Sequence, residues 1–457
     1  MRIPSRLQEL IPPAAVKQLM ELVGQPSLLG GLRDAAQKLG WKDSWQATNL
    51  RDAMQQAKRW VESVGARFGR DGVESRSSIN ATGQIFGDQW ASTPLSSHAI
   101  QAYLAVTSGY CSAGSSSPEA LKLLAKSVGA ERVTMIHSIP LALRLVAQLG
   151  CCQGGFIVPR ADCLRIGKTD FRSLLASNAN IVEIGASNGC DESDFLPALN
   201  RSQLSTVTLF PSSIDHDDRI SAHHDAAIHA AKSRGAISTE VILNAGFHDL
   251  KPYGLSIPTI AERIQAGADI VIVSGDGLMG GPACGIVIGK NSLVEEIERF
   301  AHSTGCQPSV GVLAAMCATI PDAVDFESWK KLPIGLMITN SATNLEDRAR
   351  RLCIQIQASE MVSSVSSETL NSPVGDGAWS KCSLASTALR IVPRNDSPEA
   401  LAVKLSSLPV PIVVLQKHDA IYVALRTVDP SEDRDIAAYF LDTPSSPDQV
   451  EPIPTAL

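Results

Sequence analysis

The stretch of residues 270–289 constrains the fold most, because it combines two buried strands with a turn of unusual glycine content. Its sequence is Ile-Val-Ile-Val-Ser-Gly-Asp-Gly-Leu-Met-Gly-Gly-Pro-Ala-Cys-Gly-Ile-Val-Ile-Gly. The uninterrupted apolar, β-branched runs at 270–273 and 285–288 are typical of strands that are covered on both faces of a sheet. The turn between them carries one acid, Asp276, and Pro282 fixes its exit. Glycines in such a turn allow a ligand or another backbone to come close.

The register of this segment matches the cofactor-lysine motif of a known enzyme family. The run from Ser274 to Pro282 resembles Ser-Gly-Asp-Lys-Leu-Leu-Gly-Gly-Pro of bacterial L-seryl-tRNA(Sec) selenium transferase, the selenocysteine synthase. That family consists of fold-type-I enzymes that use pyridoxal phosphate, and the lysine of the motif forms the Schiff base. Gly277 stands at the lysine position here. The resemblance therefore implies the fold of the family without its catalytic amine.

Two further regions carry the resemblance. Residues 80–83, Asn-Ala-Thr-Gly, and 94–96, Pro-Leu-Ser, match the two ends of one family segment. Residues 87–92 between them replace the family's His-Thr-Asn-Leu-Gly-Arg. Residues 425–429, Leu-Arg-Thr-Val-Asp, match its C-terminal motif. The resemblance implies an α/β fold of the fold-type-I class: a three-layer α/β/α large domain, a small C-terminal α/β domain and an N-terminal helical extension.

The sequence predicts four segments along the chain. They are a helical domain at 1–76, a large domain at 77–340, a small α/β domain at 341–440 and a disordered tail at 441–457. Apolar residues at three-to-four spacing predict the helices of the first segment, and Pro and Ser predict disorder in the last. From residue 155 onward the large domain is predicted to alternate strands, at 155–158, 181–184, 206–210 and 240–244, with helices, at 171–175, 195–199 and 223–234. This alternation is typical of a mostly parallel sheet.

Five positions are candidates for holding the cofactor: Ser138, Asn244, His248, Ser274 and Asp276. Ser138 precedes a predicted helix, and the free N–H groups of a helix N-terminus bind phosphate. The resemblance places Asn244 where fold-type-I enzymes have the aspartate that pairs with the pyridinium nitrogen, and an amide cannot supply that charge. His248 has two interpretations, a general acid or base and, preferred, a cap of the turn.

Three more side chains have both a functional and a structural interpretation. The resemblance implies that Arg160 and Arg426 bind substrate, with Arg426 holding a carboxylate. The alternative for Arg426 is a structural arginine at a strand end. Cys284 follows the turn, and a packed thiol is preferred over an activated thiolate.

The nearest lysines to position 277 in sequence are Lys251 and Lys290. Either is a candidate for a relocated Schiff-base amine, although solvated lysines are the preferred interpretation. Asp225 and His229 are four residues apart and share a face of a predicted helix, which suggests a metal ligand pair. A solvated helix face is preferred for them, and the sequence predicts no metal.

Composition and charge limit the classes of protein to which the chain can belong. The net charge of −7 is mild and does not indicate a nucleic-acid binder. No apolar run reaches the ~20 residues that span a bilayer, and the first residues lack a signal peptide, which predicts a cytoplasmic protein. The ten cysteines contain no C-x-x-C pair, which indicates reduced thiols. The resemblance adds tRNA and a homo-oligomer as partners, and residues 1–76, which carry more Lys and Arg than Asp and Glu, suit the former.

Two functions remain open. In the first, the chain is a selenocysteine synthase-like protein that has lost the family chemistry at Gly277 and Asn244 and uses its pocket for binding. The ligand is then a small molecule or a partner; the resemblance implies pyridoxal phosphate as a cofactor, and the missing lysine argues against a covalent link to it. In the second, the chain is an active pyridoxal-phosphate transferase or lyase, acting on seryl-tRNA or a small amino acid, with a relocated lysine in the role of the missing one.

Overall fold

The computed structural model describes residues 77–87, 90, 92–111, 118–153, 155–160, 165–166, 169–170, 180–186, 190–201, 206–209, 218–243, 245–375 and 382–441. These residues belong to one compact unit, Ser77–Leu457. The helices predicted within 1–76, the helical segment predicted at 171–175, Asn244 and the predicted tail from 442 onward lie outside the described residues. The domain boundaries themselves stay a prediction.

Fourteen strands are found in the described residues. They are β1 Ile79–Ala81, β2 Arg132–Ile136, β3 Phe156–Pro159, β4 Arg165–Ile166, β5 Thr169–Asp170, β6 Ile181–Ile184, β7 Thr206–Leu209, β8 Ile237–Val241, β9 Ile270–Ser274, β10 Gly285–Gly289, β11 Val362–Pro373, β12 Ser383–Pro393, β13 Ile412–Lys417 and β14 Ala420–Ala424.

The α-helices of the same residues are α1 Ser97–Thr107, α2 Pro118–Val128, α3 Ile139–Gln153, α4 Glu192–Arg201, α5 Asp218–Ser233, α6 Ile260–Ala266, α7 Asn291–Thr304, α8 Val310–Val324, α9 Phe326–Trp329, α10 Pro333–Thr339, α11 Ala342–Ile356, α12 Pro398–Ser406 and α13 Asp433–Leu441. Short 3₁₀ turns lie at Lys251–Tyr253 and Pro430–Glu432.

The larger sheet has seven strands in the order β2-β10-β9-β8-β7-β3-β6. All run parallel except β10, which is antiparallel to both of its neighbours. Alternate residues of β9 enter two different cores: Val271 and Val273 pack with α2, α4, α5, α6 and α8, whereas Ile270 and Ile272 pack with α3 and α7. Because a strand points successive side chains to opposite faces, helices cover both faces of the sheet. The predicted three-layer α/β/α architecture is confirmed.

The second sheet has five strands in the order β1-β13-β14-β12-β11. Residues of α11, α12 and α13 pack with it in a separate core. Strand β1, which the sequence analysis included in the large domain, pairs in parallel with β13 of this sheet. The chain thus begins its described part in the smaller sheet before it builds the larger one.

Residues 195–199 lie in helix α4, as the predicted alternation expects, and Phe195 and Leu199, one helical turn apart, are both buried. One predicted strand differs from the structure. Strand β8 begins at Ile237 and ends at Val241, earlier than the predicted 240–244. Ser238 and Glu240 of this strand are polar yet buried, paired with Asp269 and Arg263, so hydropathy alone misses its start.

Candidate functional site

The glycine-rich turn between β9 and β10 is closed by hydrogen bonds between its own main-chain atoms. The amide of Gly275 donates to the carbonyl of Cys284 (3.0 Å), and the amide of Gly281 donates to the carbonyl of Gly275 (2.8 Å). The amide of Gly280 donates to the carbonyl of Gly277 (3.1 Å). The turn follows the carboxyl end of β9, and Gly277 is buried within it.

At three glycines of the turn, Gly275, Gly280 and Gly281, other atoms come within 3.0 Å of the place where a Cβ would lie. A Cβ at Gly275 would lie 2.6 Å from the Cys284 sulfur and 2.6 Å from the Pro282 carbonyl oxygen. A Cβ at Gly281 would meet the sulfur of Met316, in α8, at 2.4 Å. The close approach that the sequence predicted is therefore made by the turn's own backbone and by α8.

Asp276 is held next to Gly277 by two hydroxyl groups. The Ser274 hydroxyl donates to the Asp276 carboxylate over 2.5 Å, and the Thr93 hydroxyl donates to the Asp276 carbonyl over 2.6 Å. Burial raises the pKa of Asp276, and the hydrogen bond from Ser274 opposes that rise. Ser274 and Asp276 thus form one polar pair beside the position of the family's lysine.

Ser138 lies at the same edge of the sheet as this pair. It follows β2, whose last residue, Ile136, pairs with Gly285 of β10, and Gly285 in turn pairs with Ser274. The Ser138 carbonyl accepts the amide of Ala142 in the first turn of α3. The structure therefore brings Ser138, Ser274 and Asp276 to one edge of the larger sheet, where helix α3 also begins.

An aromatic cluster supports the turn from the other side. The indole N–H of Trp329, which is 1% exposed, donates to the carbonyl of Leu278 (2.7 Å). The ring of His248 lies 5.0 Å from that of Phe326 and 5.5 Å from that of Trp329, and its Nε2 donates to the Ala323 carbonyl (2.8 Å). Burial lowers the pKa of His248. His248 is thus a neutral ring packed among aromatic side chains.

The two candidate substrate arginines do not join this site in the described contacts. Arg160 follows β3, which is three strands from β9 or about 14 Å, and its guanidinium donates to the Gly185 carbonyl (3.1 Å). Arg426 is buried, and its guanidinium donates to the carbonyls of Ala385 and Met337. These are the contacts of a structural arginine, and the substrate role of both residues stays a prediction.

The two candidate replacement lysines lie in different places. The ammonium of Lys290 is 2.5 Å from the carboxylate of Asp269, which precedes β9. It therefore lies at the opposite edge of the sheet from Gly277, about 16 Å away along a five-residue strand. Lys251 is exposed on the 3₁₀ turn that follows β8.

The remaining titratable candidates have structural partners. Asp225 pairs with Arg263 (2.9 Å) and His229 with Glu192 (3.1 Å), so they face different neighbours. No group of His, Cys, Asp and Glu within the described residues could hold a metal ion. Cys284 is 3% exposed, and burial raises its pKa to about 12. That geometry is the one expected of a packed thiol.

Sequence reasoning missed a buried ion pair beside β8. Arg263 of α6 donates from two nitrogens to Glu240 of β8, each over 2.8 Å. Glu240 is fully buried. Burial by itself lowers the pKa of Arg263, but the hydrogen bonds and charges of Glu240 and Asp225 raise it overall. An acid within a strand was the available signal, because a buried carboxylate needs a partner.

No helix in the described part of the chain is both long and apolar enough to cross a membrane.

Comparison with known proteins gives the family. The family model described as L-seryl-tRNA selenium transferase matches residues 91–429, which is most of the chain. The chain belongs to this family. The L-seryl-tRNA(Sec) selenium transferase of Hyphomonas neptunium is 26% identical over 449 residues, covering 93% of this chain and 94% of the relative. That of Desulfovibrio desulfuricans is 29% identical over 390 residues, covering 80% and 81%.

A solved structure supports the fold of this selenium transferase family member. D-glucosaminate-6-phosphate ammonia-lyase superposes with a TM-score of 0.57 at 13% identity, covering 80% of this chain and 97% of the lyase. At that identity the likeness shows the fold alone, and function has to be argued from the site.

Proposed function

We propose that this member of the selenium transferase family forms no Schiff base at position 277 and that its site binds without performing the family chemistry. The observation that carries the proposal is Gly277 itself, in a turn whose neighbours Ser274 and Asp276 match the family motif. Schiff-base chemistry needs an amine to hold and exchange the aldehyde of the cofactor. Glycine has none.

The position of Lys290 supports the same proposal. Its ammonium is paired with Asp269 at the far edge of the sheet, so a main-chain rearrangement of the whole β9–β10 hairpin would be needed to bring it to Gly277. Lys251, the other candidate from the sequence, is exposed on the 3₁₀ turn after β8.

We propose further that pyridoxal phosphate binds here without a covalent link. The hydroxyl of Ser138 and the first N–H groups of α3, apart from Pro140, which has none, suit the phosphate, whereas position 277 offers no amine to the aldehyde. When bound, the cofactor supplies an electron sink for an amino-acid substrate. The residues that would hold it are Ser138, Ser274 and Asp276, and Asn244 and His248 remain candidates from the sequence.

The absorption spectrum with added pyridoxal phosphate tests this directly. We expect the spectrum of the free aldehyde and, after borohydride reduction, no adduct in peptide mass mapping. A single reduced lysine would refute the proposal, and its loss in Lys251→Ala but not in Lys290→Ala would identify the relocated amine. The variant Gly277→Lys is the positive control, because it restores an amine at the family position.

On the basis of the family we propose two partners, tRNA and further copies of this chain. We propose the cytoplasm as the location. The named relatives act on seryl-tRNA. Gel-shift titration with bulk tRNA over a salt series tests the first, because phosphate contacts weaken steeply as salt rises. Binding that does not change with salt would contradict it.

A further inference from the structure

Asp276 is a carboxylate that no cation of the described residues neutralises. Its side chain is partly buried, and the Ser274 hydroxyl donates to it over 2.5 Å. Burial raises the pKa of Asp276, and the hydrogen bonds that oppose this rise come from Ser274 and from the main chain of Asp276 itself, without a contribution from any Lys, Arg or His of the described part of the chain. A carboxylate that is removed from water needs a cation or further donors to balance its charge.

The main chain holds this carboxylate next to position 277. The Thr93 hydroxyl donates to the carbonyl of Asp276 (2.6 Å), and the amide of Gly281 closes the turn on the carbonyl of Gly275. Gly277 is the next residue in sequence. The family motif has an amine there, beside the acid, whereas this chain supplies the acid alone.

We propose that the ligand supplies the missing amine, so that the site prefers pyridoxamine 5′-phosphate, the aminomethyl form of the cofactor, over the aldehyde form. The inference rests on the proposed function, in which position 277 forms no Schiff base, and it names the form of the ligand. The ammonium group of the aminomethyl form would pair with the Asp276 carboxylate in a charge-assisted hydrogen bond. That form needs no lysine, because it has no aldehyde to be held.

The other end of the site suits both forms of the cofactor. Both carry the same phosphate, for which Ser138 and the N-terminus of α3 are the candidate partners. Strands β2 and β9, which lead to Ser138 and to Ser274, are separated by β10 alone and thus by two strand spacings, about 10 Å. One small phosphorylated ligand can bridge that distance, so the group opposite Asp276 decides between the two forms.

Other cations suit the carboxylate less well. A metal ion needs several ligands, and no group of His, Cys, Asp and Glu in the described ranges could hold one. A free amino acid has an ammonium group but no phosphate, so it would leave the N-terminus of α3 unused.

Calorimetric titration of the full chain, dialysed free of cofactor, tests the proposal. The two probes are pyridoxamine 5′-phosphate and pyridoxine 5′-phosphate, which carry an ammonium group and a hydroxyl group on the same carbon. We expect the wild type to bind the first about tenfold more tightly or better, because a hydrogen bond between charged groups is worth at least that ratio. Asp276→Asn keeps the shape of the side chain without its charge and should bind both probes with the same Kd.

A matched control and a second variant sharpen the comparison. Asp347→Asn removes the same charge from α11, where Asp347 pairs with Arg350, and should keep the wild-type ratio. Gly277→Lys places the amine on the chain and should lose the preference, because its own ammonium competes for Asp276. The φ of Gly277 is not positive, so lysine needs no left-handed backbone there. If circular dichroism shows that Asp276→Asn does not fold, Gly277→Lys provides the answer.

The outcomes separate this inference from the proposed function. Equal affinity of the wild type for the two probes, or binding of neither, overturns the inference, and so does a preference that persists in Asp276→Asn. Binding of L-alanine that needs Asp276 but no phosphate would overturn the choice of ligand in favour of an amino acid. Neither probe carries an aldehyde, so a reduced lysine adduct with pyridoxal phosphate overturns the proposed function whatever the ratio of the two affinities.

Discussion

Replacing Gly275 by alanine tests whether its glycine is required by packing. The backbone of Gly275 has no positive φ, so alanine carries no conformational penalty there and only contacts matter. The new methyl group would lie 2.6 Å from the Cys284 sulfur and 2.6 Å from the Pro282 carbonyl oxygen. Both distances are about 1 Å inside the usual contact range. Overpacking of this kind costs about 1–3 kcal/mol of the free energy of unfolding.

Urea unfolding followed by tryptophan fluorescence measures that loss. The matched control is Gly109→Ala, where a Cβ meets nothing within 4 Å and alanine should leave stability unchanged or raise it by up to about 1 kcal/mol. Adding Cys284→Ala to Gly275→Ala should recover only part of the loss, because the clash with Pro282 remains. A Gly275→Ala protein within about 0.5 kcal/mol of the wild type would refute the packing argument.

Two further predictions concern titratable groups near the turn. Cys284, with its pKa raised to about 12 by burial, should stay unmodified by iodoacetamide at pH 8 while the exposed Cys111 reacts, and rapid labelling of Cys284 in the native protein would contradict the structure. Asp276→Asn should raise stability at neutral pH. The raised pKa of Asp276 means that its stabilising contribution is complete below the ordinary value of 3.8 and is lost as the pH rises through the higher folded value. A variant whose unfolding keeps the wild-type pH dependence above 3.8 would contradict this assignment.

The central strands of the larger sheet could be predicted from their sequence pattern. Strands β9 and β10 begin at the predicted residues, since uninterrupted Ile and Val suit positions covered on both faces. Strand β8 was placed too late because Ser238 and Glu240 are polar yet buried, each with a partner distant in sequence. A single-sequence pattern contains no information about such partners.

Strand β11 is a strand that the sequence pattern does not reveal. Its sequence, Val-Ser-Ser-Val-Ser-Ser-Glu-Thr-Leu-Asn-Ser-Pro, lies at the edge of the second sheet with most side chains exposed. Polar residues on an exposed edge do not produce the apolar pattern by which strands are recognised. The sequence analysis accordingly assigned no strand there.

The residues of the candidate site also differ in whether the sequence could predict their positions. Ser138, Ser274 and Asp276 could be placed at one edge because each follows or ends a recognisable strand, and parallel strands end together. The support that Trp329 gives to the turn could not be predicted. Its indole N–H donates to the carbonyl of Leu278, which is 51 residues away in sequence. Arg426 was chosen as a substrate-binding candidate because it lies in the C-terminal motif. The motif does not show that its guanidinium already donates hydrogen bonds to main-chain carbonyls.

The contacts that shape the turn also explain why the family can be recognised at a position that has lost its lysine. Within residues 275–281 the atoms that form the described hydrogen bonds are main-chain atoms and the carboxylate of Asp276, and the close contacts fall on Gly275, Gly280 and Gly281. None depends on a side chain at 277. The hydrogen bonds of the turn therefore require no side chain at 277, so the motif that identifies the fold and the amine that would perform the chemistry are separable in this chain.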